Sequence, residues 1–259
     1  MGQSQETTDA VIVETPIEIR IKQQRSTELI QQRLAVTMCT PQHEEDLIRG
    51  FLFTEGIIKG LDELLEINQL EAGLFEAALS PNADFDLKQL DRNFFVNSSC
   101  GICGKASKEN IETEGPFLPW ASNAFFSTSI LLNLNEKLQS TQSLFDQTGA
   151  VHAAALIDGQ GEIRFLREDV GRHNAVDKVV GAALLESPFP LHDVMLWVSG
   201  RVSFELVQKG AMAGIPLLGA VGAPSSLAIE TAEDVGMSLI GFLKSDGFNI
   251  YAGKDRIVE

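Results

Sequence analysis

Cys100 and Cys103 stand in the run Ser98-Ser99-Cys100-Gly101-Ile102-Cys103-Gly104-Lys105, two thiols two residues apart, each followed by glycine. Glycine removes side-chain bulk and admits φ > 0, so a loop of this composition leaves both sulfurs accessible. Cysteines at this spacing can share a disulfide, carry a persulfide or hold a metal. The reactive form is the thiolate, whose population rises beside a cation; Lys105 and Lys108 follow closely. The alternative is a structural half-site for zinc or an idle pair. The third cysteine, Cys39, lies near the end of an apolar strand and is expected to be a small buried hydrophobe rather than a reactive group.

A second set of residues suits anion binding. Three strand-to-helix turns are rich in small and polar groups: Arg167-Glu168-Asp169-Val170-Gly171-Arg172-His173-Asn174, Ser199-Gly200-Arg201 and Gly222-Ala223-Pro224-Ser225-Ser226. Ligands of open α/β sheets sit at the carboxyl ends of strands, beside helix N-termini that attract anions. Arg172 and Arg201 can clamp a phosphate through two parallel N–H donors, with His173 and Ser199 beside them. The alternative makes the arginines structural partners of Glu168, Asp169 or Glu205. Neither G-x-x-x-x-G-K-[ST] nor G-x-G-x-x-G occurs, so no P-loop or standard dinucleotide fingerprint is present. His152, in a strand among alanines, reads as a hydrogen-bonded core group. His192 is expected to be exposed, and His43 to lie on a solvated acidic first turn.

These residues need positioning elements. Ile17, Ile19 and Ile21 alternate with Glu18 and Arg20, the pattern of a half-buried strand, and Arg33–Thr40 is expected to be a second. Thr40-Pro41 reads as a helix start, with Thr as cap and Pro in the first position, and Gly56 as its end. A short helix from Leu61, strands near Leu64–Leu70 and Leu74–Leu79, and a strand at Phe94–Val96 complete a small α+β unit. Ile130–Leu138 is expected to be helical. From Gly149 onward, strands Val151–Ile157, Glu162–Leu166, Val194–Val198, Pro216–Val221 and Leu239–Leu243 alternate with helices Asn174–Leu185, Val202–Met212 and Ser225–Met237. Such alternation implies a parallel or mixed sheet with helices on its faces. The expected organisation is a small N-terminal α+β domain (10–97), a cysteine loop (98–110) and a larger α/β domain (111–259).

The chain of 259 residues carries a formal net charge of −16, which argues against general binding to nucleic acid or anionic membrane. The charge is uneven: residues 1–99 hold 8 Lys/Arg against 17 Asp/Glu, whereas residues 164–209 hold 6 of each, a neutral island able to hold an anion. No apolar run reaches the roughly 18 residues of a membrane span, the polar N-terminus lacks a signal-peptide pattern, and an odd cysteine count suits a reducing compartment. A cytoplasmic protein is expected.

Taken together, the Cys100–Gly104 loop, Thr148-Gly149 with His152, the run Arg167–Lys178, Ser199-Gly200-Arg201, Gly222–Ala228 and the segment from Thr40-Pro41 to Glu55-Gly56 closely resemble the formate dehydrogenase accessory sulfurtransferase family, FdhD/NarQ. The resemblance covers nearly the whole chain. It implies a sulfurtransferase that accepts sulfur from a cysteine desulfurase on Cys100, with Cys103 as its partner. That sulfur then goes to the bis-molybdopterin guanine dinucleotide cofactor of molybdenum or tungsten, for formate dehydrogenase as client. It places the cofactor-binding segment on Phe242-Leu243-Lys244-Ser245-Asp246-Gly247, where Lys244 keeps a basic character and Asp246 departs from it. It also implies a homodimer and a cytidine-deaminase-like mixed sheet flanked by helices. Zinc deaminases need H-x-E and P-C-x-x-C; here Ala153-Ala154 follows His152 and Ser99 precedes Cys100, so neither zinc nor deaminase chemistry is expected. Two rival functions stay open: a thiol–disulfide oxidoreductase, which needs no nucleotide site, and a non-catalytic chaperone of the molybdenum cofactor.

Overall fold

The isoleucine alternation at the N-terminus forms β1 (Thr15–Arg25), with Ile17, Ile19 and Ile21 buried and Arg20 and Lys22 facing out. It pairs antiparallel with β2 (Glu28–Cys39) and parallel with β4 (Leu74–Leu79), which forms a hairpin with β3 (Leu64–Glu71). The order is β2-β1-β4-β3. The computed structural model describes residues 6–26, 28–85, 119–187 and 189–259. The expected strand at Phe94–Val96 and the cysteine loop at 98–110 lie outside the described residues.

The helix after β2, α1 (Glu44–Thr54), starts later than Thr40-Pro41 suggests, with His43 rather than Thr40 at the capping position. The reason is tertiary. Thr40 Oγ1 accepts from Val170 N (3.0 Å) and its own N–H donates to Asp169 (3.1 Å), so it is committed to a contact far along the chain. His43 is exposed in the acidic first turn, as its surroundings suggest.

The larger sheet has the order β11-β10-β9-β8-β6-β7, formed by β6 (His152–Asp158), β7 (Ile163–Asp169), β8 (Val194–Val198), β9 (Leu217–Ala220), β10 (Ser238–Lys244) and β11 (Gly247–Ala252). β7, β8, β9 and β10 run in one direction; β6 and β11 oppose them. The connections are α4 (Arg172–Glu186), α5 (Phe204–Met212) and α6 (Ser226–Asp234). Right-handed crossovers that advance one way across a sheet leave their helices on a single face; these three share one apolar cluster with α1 and the small sheet. On the other face, α2 (Thr128–Gln139) packs Leu131, Leu134 and Leu138 against Met195, Trp197 and Ile240. A short α3 (Ser143–Thr148) leads into β6, and β5 (Phe126–Ser127) pairs with β12 (Ile257–Val258). The fold is therefore mixed α/β.

α1 and α4 cross in backbone contact. A Cβ on Gly50 would lie 1.8 Å from the Asp177 carbonyl oxygen, and one on Gly181 1.9 Å from that of Asp46. Around this crossing Lys209 Nζ meets Asp177 (2.9 and 3.0 Å), Glu55 (2.9 Å) and Thr54 Oγ1 (2.9 Å), while Thr54 Oγ1 donates to Asp177 (2.7 Å). Burial opposes the charge on Lys209, but Asp177 and Glu55 outweigh it and hold the ammonium well above the ordinary lysine range.

Candidate functional site

Asp169 closes β7 and organises the turn into α4. It is fully buried, and both carboxylate oxygens are saturated: Oδ2 accepts from Lys178 Nζ (2.7 Å) and Thr40 N (3.1 Å), Oδ1 from Gly171 N (2.8 Å) and Asn174 Nδ2 (2.9 Å). Asn174 Nδ2 also reaches Met38 O (2.8 Å), and Lys178 reaches Thr40 O (2.8 Å). A buried charge is tolerable only when paired and hydrogen-bonded in this way. The effect is to pin the end of β2 to the N-terminus of α4, so that Arg172 and His173 leave the turn in fixed positions at the edge of the larger sheet.

Four other pieces meet at that edge. The β8 turn, Ser199-Gly200-Arg201, lies beside the β9 turn. Gly222 N donates to Gly200 O (3.1 Å), Val202 N to Ala223 O (3.1 Å) and Ser225 N to Val202 O (3.0 Å). A Cβ on Gly222 would stand 2.8 Å from Arg201 N and 2.7 Å from Gly200 O, so only glycine allows the two turns to touch. This pairing also explains why α5 starts at Phe204 rather than Val202, as its sequence suggests: Val202 is bridged to Pro224. Ser225 caps α6 by accepting from Ala228 N (3.2 Å). Beyond it, Phe242 N donates to Gly222 O (3.2 Å).

Phe242 is a backbone outlier. Its φ is +53°, and the residue is 43% exposed. A bulky residue in the left-handed region costs on the order of 1–3 kcal/mol, a strain that clusters at ligand sites. The segment Phe242–Gly247 ends β10 irregularly and turns into β11, with Lys244 opposite Gly247. Lys244, Ser245 and Asp246 are exposed; Leu243 is buried in the apolar layer under α2, so its part in the segment is limited to its backbone.

The acidic candidates for pairing with the arginines are all engaged elsewhere. Glu168 accepts from Leu144 N and Phe145 N (both 2.9 Å) at the start of α3. Asp169 binds Lys178. Glu205 Oε2 lies 2.9 Å from His173 Nε2, which also faces Ser203 Oγ at 3.3 Å, so His173 ties the starts of α4 and α5 together. Among the described residues neither Arg172 nor Arg201 has a hydrogen bond or ion pair, and Arg172 Nε is shut away from solvent without a partner. Arg201 is exposed, Arg172 half-buried. Ser199 Oγ accepts from Ala153 N (2.9 Å), leaving its hydroxyl proton free to donate.

His152 belongs to this edge as well, and its placement corrects the sequence expectation. It is half-buried at the first position of β6, opposite Asp169, and its ring makes no hydrogen bond among the described residues. Its ring lies over Gly200, where an added Cβ would meet Nδ1 at 3.3 Å and Arg172 Cδ at 4.0 Å. Burial, then Arg172, His173 and Arg201, lower its pKa against the opposing pull of Asp169. His192 also differs from expectation: it is half-buried, with Nε2 enclosed and unpartnered and its carbonyl accepting from Ser122 Oγ (2.6 Å).

Cys39 is buried, and its thiol is pushed up to about 11 by burial first and then by Asp169. It is a core group, as expected. Cys100 and Cys103 lie outside the described residues. Among the described residues no group of three or more His, Cys, Asp or Glu is arranged to hold a metal, and no helix is long and apolar enough to cross a membrane.

Comparison with known proteins gives this edge a context. The sequence matches the FdhD/NarQ family over residues 12–258. It is 44% identical to the sulfur carrier protein FdhD of Mycolicibacterium paratuberculosis, covering 99% of this chain and 94% of that one. It is 40% identical to the protein of that name from Saccharolobus solfataricus, over 96% and 91%. In three dimensions it resembles the crystal structure of a putative formate dehydrogenase accessory protein from Desulfotalea psychrophila, with a TM-score of 0.74, 26% identity and coverage of 98% and 93%. A match over almost the full length, at such identity to several relatives, assigns the chain: it belongs to the FdhD/NarQ family.

Proposed function

We propose that this protein is a sulfur carrier that matures a formate dehydrogenase. In this reading it takes sulfur from a cysteine desulfurase as a persulfide on Cys100 and passes it to the bis-molybdopterin guanine dinucleotide cofactor, its acceptor substrate. The relatives named sulfur carrier proteins support the carrier role. The observation that carries the nucleotide half is the pair of arginines, Arg172 and Arg201, standing without an acidic partner at the carboxyl edge of a sheet, beside the capped start of α6. A diphosphate is the ligand that such an edge suits. Phe242, strained and half-exposed next to Gly222, offers a face for the guanine, and Lys244 with the Ser245–Gly247 turn borders it.

The chemistry balances with cysteines alone. The Cys100 thiolate attacks the terminal sulfur of the donor persulfide; the donor's S–S bond breaks and its cysteine leaves as a thiolate. In the second step the Cys103 thiolate attacks Cys100, hydrosulfide leaves for the acceptor, and a Cys100–Cys103 disulfide remains. The two thiols supply the two electrons that reduce sulfane sulfur to sulfide.

Family membership also supports the finer readings of a homodimer, a cytoplasmic setting and a cytidine-deaminase-like larger sheet, one that lacks the deaminase glutamate because Ala153-Ala154 follows His152. The test of function is mass spectrometry after incubation with a cysteine desulfurase and cysteine. One added sulfur, roughly 32 Da, is expected on Cys100, and Cys100→Ala should lose both the label and the maturation of formate dehydrogenase. Normal maturation by that variant would overturn the reading. A thiol–disulfide oxidoreductase would show no GDP binding, and a pure cofactor chaperone no persulfide.

A further inference from the structure

We propose that His152 is a conditional third cation of the anion site, neutral when the site is empty and protonated from bulk water when a phosphate group enters, so that anion binding takes up a proton. This rests on the reading of the sheet edge as a diphosphate site and adds to it a residue and a pH dependence.

The argument is geometric. His152 starts β6 between the ends of β7 and β8, so its ring projects into the space bounded by Arg172 and the β8 turn. Gly200 leaves that space open; a side chain there would press on the ring. Neither ring nitrogen has a hydrogen-bond partner among the described residues, unlike those of His173, whose Nε2 is held by Glu205 and Ser203. A half-buried imidazole with unspent nitrogens is available to a ligand.

The charges around the ring determine the sign. Arg172 and His173 face it from α4, and Arg201 from the β8 turn; the one facing carboxylate, Asp169 on β7, is already engaged by Lys178, Thr40, Gly171 and Asn174. In the empty site burial and the two guanidinium groups together favour the neutral ring. A phosphate placed between the arginines reverses the local field, and an anion beside an imidazole favours its charged form. By linkage, if the bound form holds one proton more than the free form, affinity rises as pH falls.

The experiment is calorimetric titration of GDP into the full-length protein and into His152→Gln, from pH 6.5 to 8.5, in buffers of different ionisation enthalpy. The second measurement follows the imidazole resonances of the four histidines in the unaltered protein, with and without GDP. The expected results are a proton uptake in the unaltered protein that approaches one more than in His152→Gln, and an affinity that falls by up to about tenfold per pH unit relative to the variant. One histidine resonance, missing in the variant, should titrate at higher pH when GDP is present. Equal proton uptake in the two proteins, or a His152 titration unmoved by GDP, overturns the inference while leaving the site intact. Absence of GDP binding at every pH in the folded, unaltered protein removes the diphosphate site itself. Should His152→Gln fail to fold, the resonance titration of the unaltered protein decides alone, with His43→Gln, His173→Gln and His192→Gln assigning the signals by elimination.

Discussion

Two arginines of the same type, both facing the sheet edge, differ in what surrounds them. Arg172 is half-buried, with an Nε that neither solvent nor protein satisfies, whereas Arg201 is exposed to water. A charge-assisted hydrogen bond contributes about 1.5–3 kcal/mol, and more of that is realised where water is excluded. Arg172→Ala should therefore weaken GDP binding on the order of a hundredfold and Arg201→Ala on the order of tenfold. Thermal unfolding of both variants should stay close to that of the parent, because neither guanidinium makes a hydrogen bond or ion pair among the described residues. Affinity and melting temperature measured on the same samples check this; unchanged affinity in a folded variant takes that arginine out of the site. The arginines were legible in the sequence because glycine and serine around them mark turns. His152 was not, because strand periodicity says that a residue belongs to a strand but not whether it stands at the strand's open end. Nor did the sequence reveal that His173 is held by Glu205: the two are 32 positions apart, in different helices, and only the sheet brings them together.

At the scale of elements, regular alternation was the reliable guide. β1, β8 and the three helices that follow β7, β8 and β9 were anticipated from apolar spacing, since burial on one face imposes that spacing directly. Termini were less legible. α1 starts late because Thr40 serves Val170 and Asp169, and α5 because Val202 pairs with Ala223, partners far away in the chain. The least legible feature is the joint between α1, α4 and α5, where Gly50 and Gly181 let two helices touch and Lys209 bridges them. Nothing about Lys209 in an amphipathic helix separates it from a solvated lysine, yet it is buried against Asp177. Removing one partner of such a pair leaves an uncompensated charge and costs about 3–5 kcal/mol. Lys209→Met should therefore lower the melting temperature by on the order of 10 °C, at the few degrees per kcal/mol of a chain this size. Adding Asp177→Asn to Lys209→Met should recover most of that loss, because the neutral amide can still accept from Thr54. Additive losses in the double variant, measured by thermal unfolding, would contradict a coupled pair.

At the scale of the whole molecule the two halves of the proposed function make separable demands on the chain. The order of strands was not legible: alternation of strand and helix indicates a mixed sheet but does not say that β6 lies between β7 and β8, the arrangement that brings His152 to the edge where Arg172 and the β8 turn stand. The three cysteines, by contrast, sort cleanly by chemistry. Cys39 is buried with its thiol pushed up to about 11, so at neutral pH it presents almost no thiolate and takes no part in exchange. Cys39→Ala should therefore leave persulfide transfer unchanged. In the proposed function Cys100 and Cys103 differ by role. If Cys103 releases the sulfur, then Cys103→Ser should load normally from the desulfurase and stop there, retaining the Cys100 persulfide because no second thiolate is present to expel hydrosulfide. The unaltered protein in a single turnover should release about one sulfide per persulfide and finish as the Cys100–Cys103 disulfide, in keeping with the exchange stoichiometry. GDP affinity should be the same in both, since the proposed anion site draws on Arg172, Arg201 and the Gly222 turn rather than on the cysteines. Sulfide assay, intact-protein mass and calorimetry on one preparation test all three statements; sulfide release by Cys103→Ser at the parent's rate would show that the acceptor or an external thiol, not Cys103, takes the sulfur from Cys100.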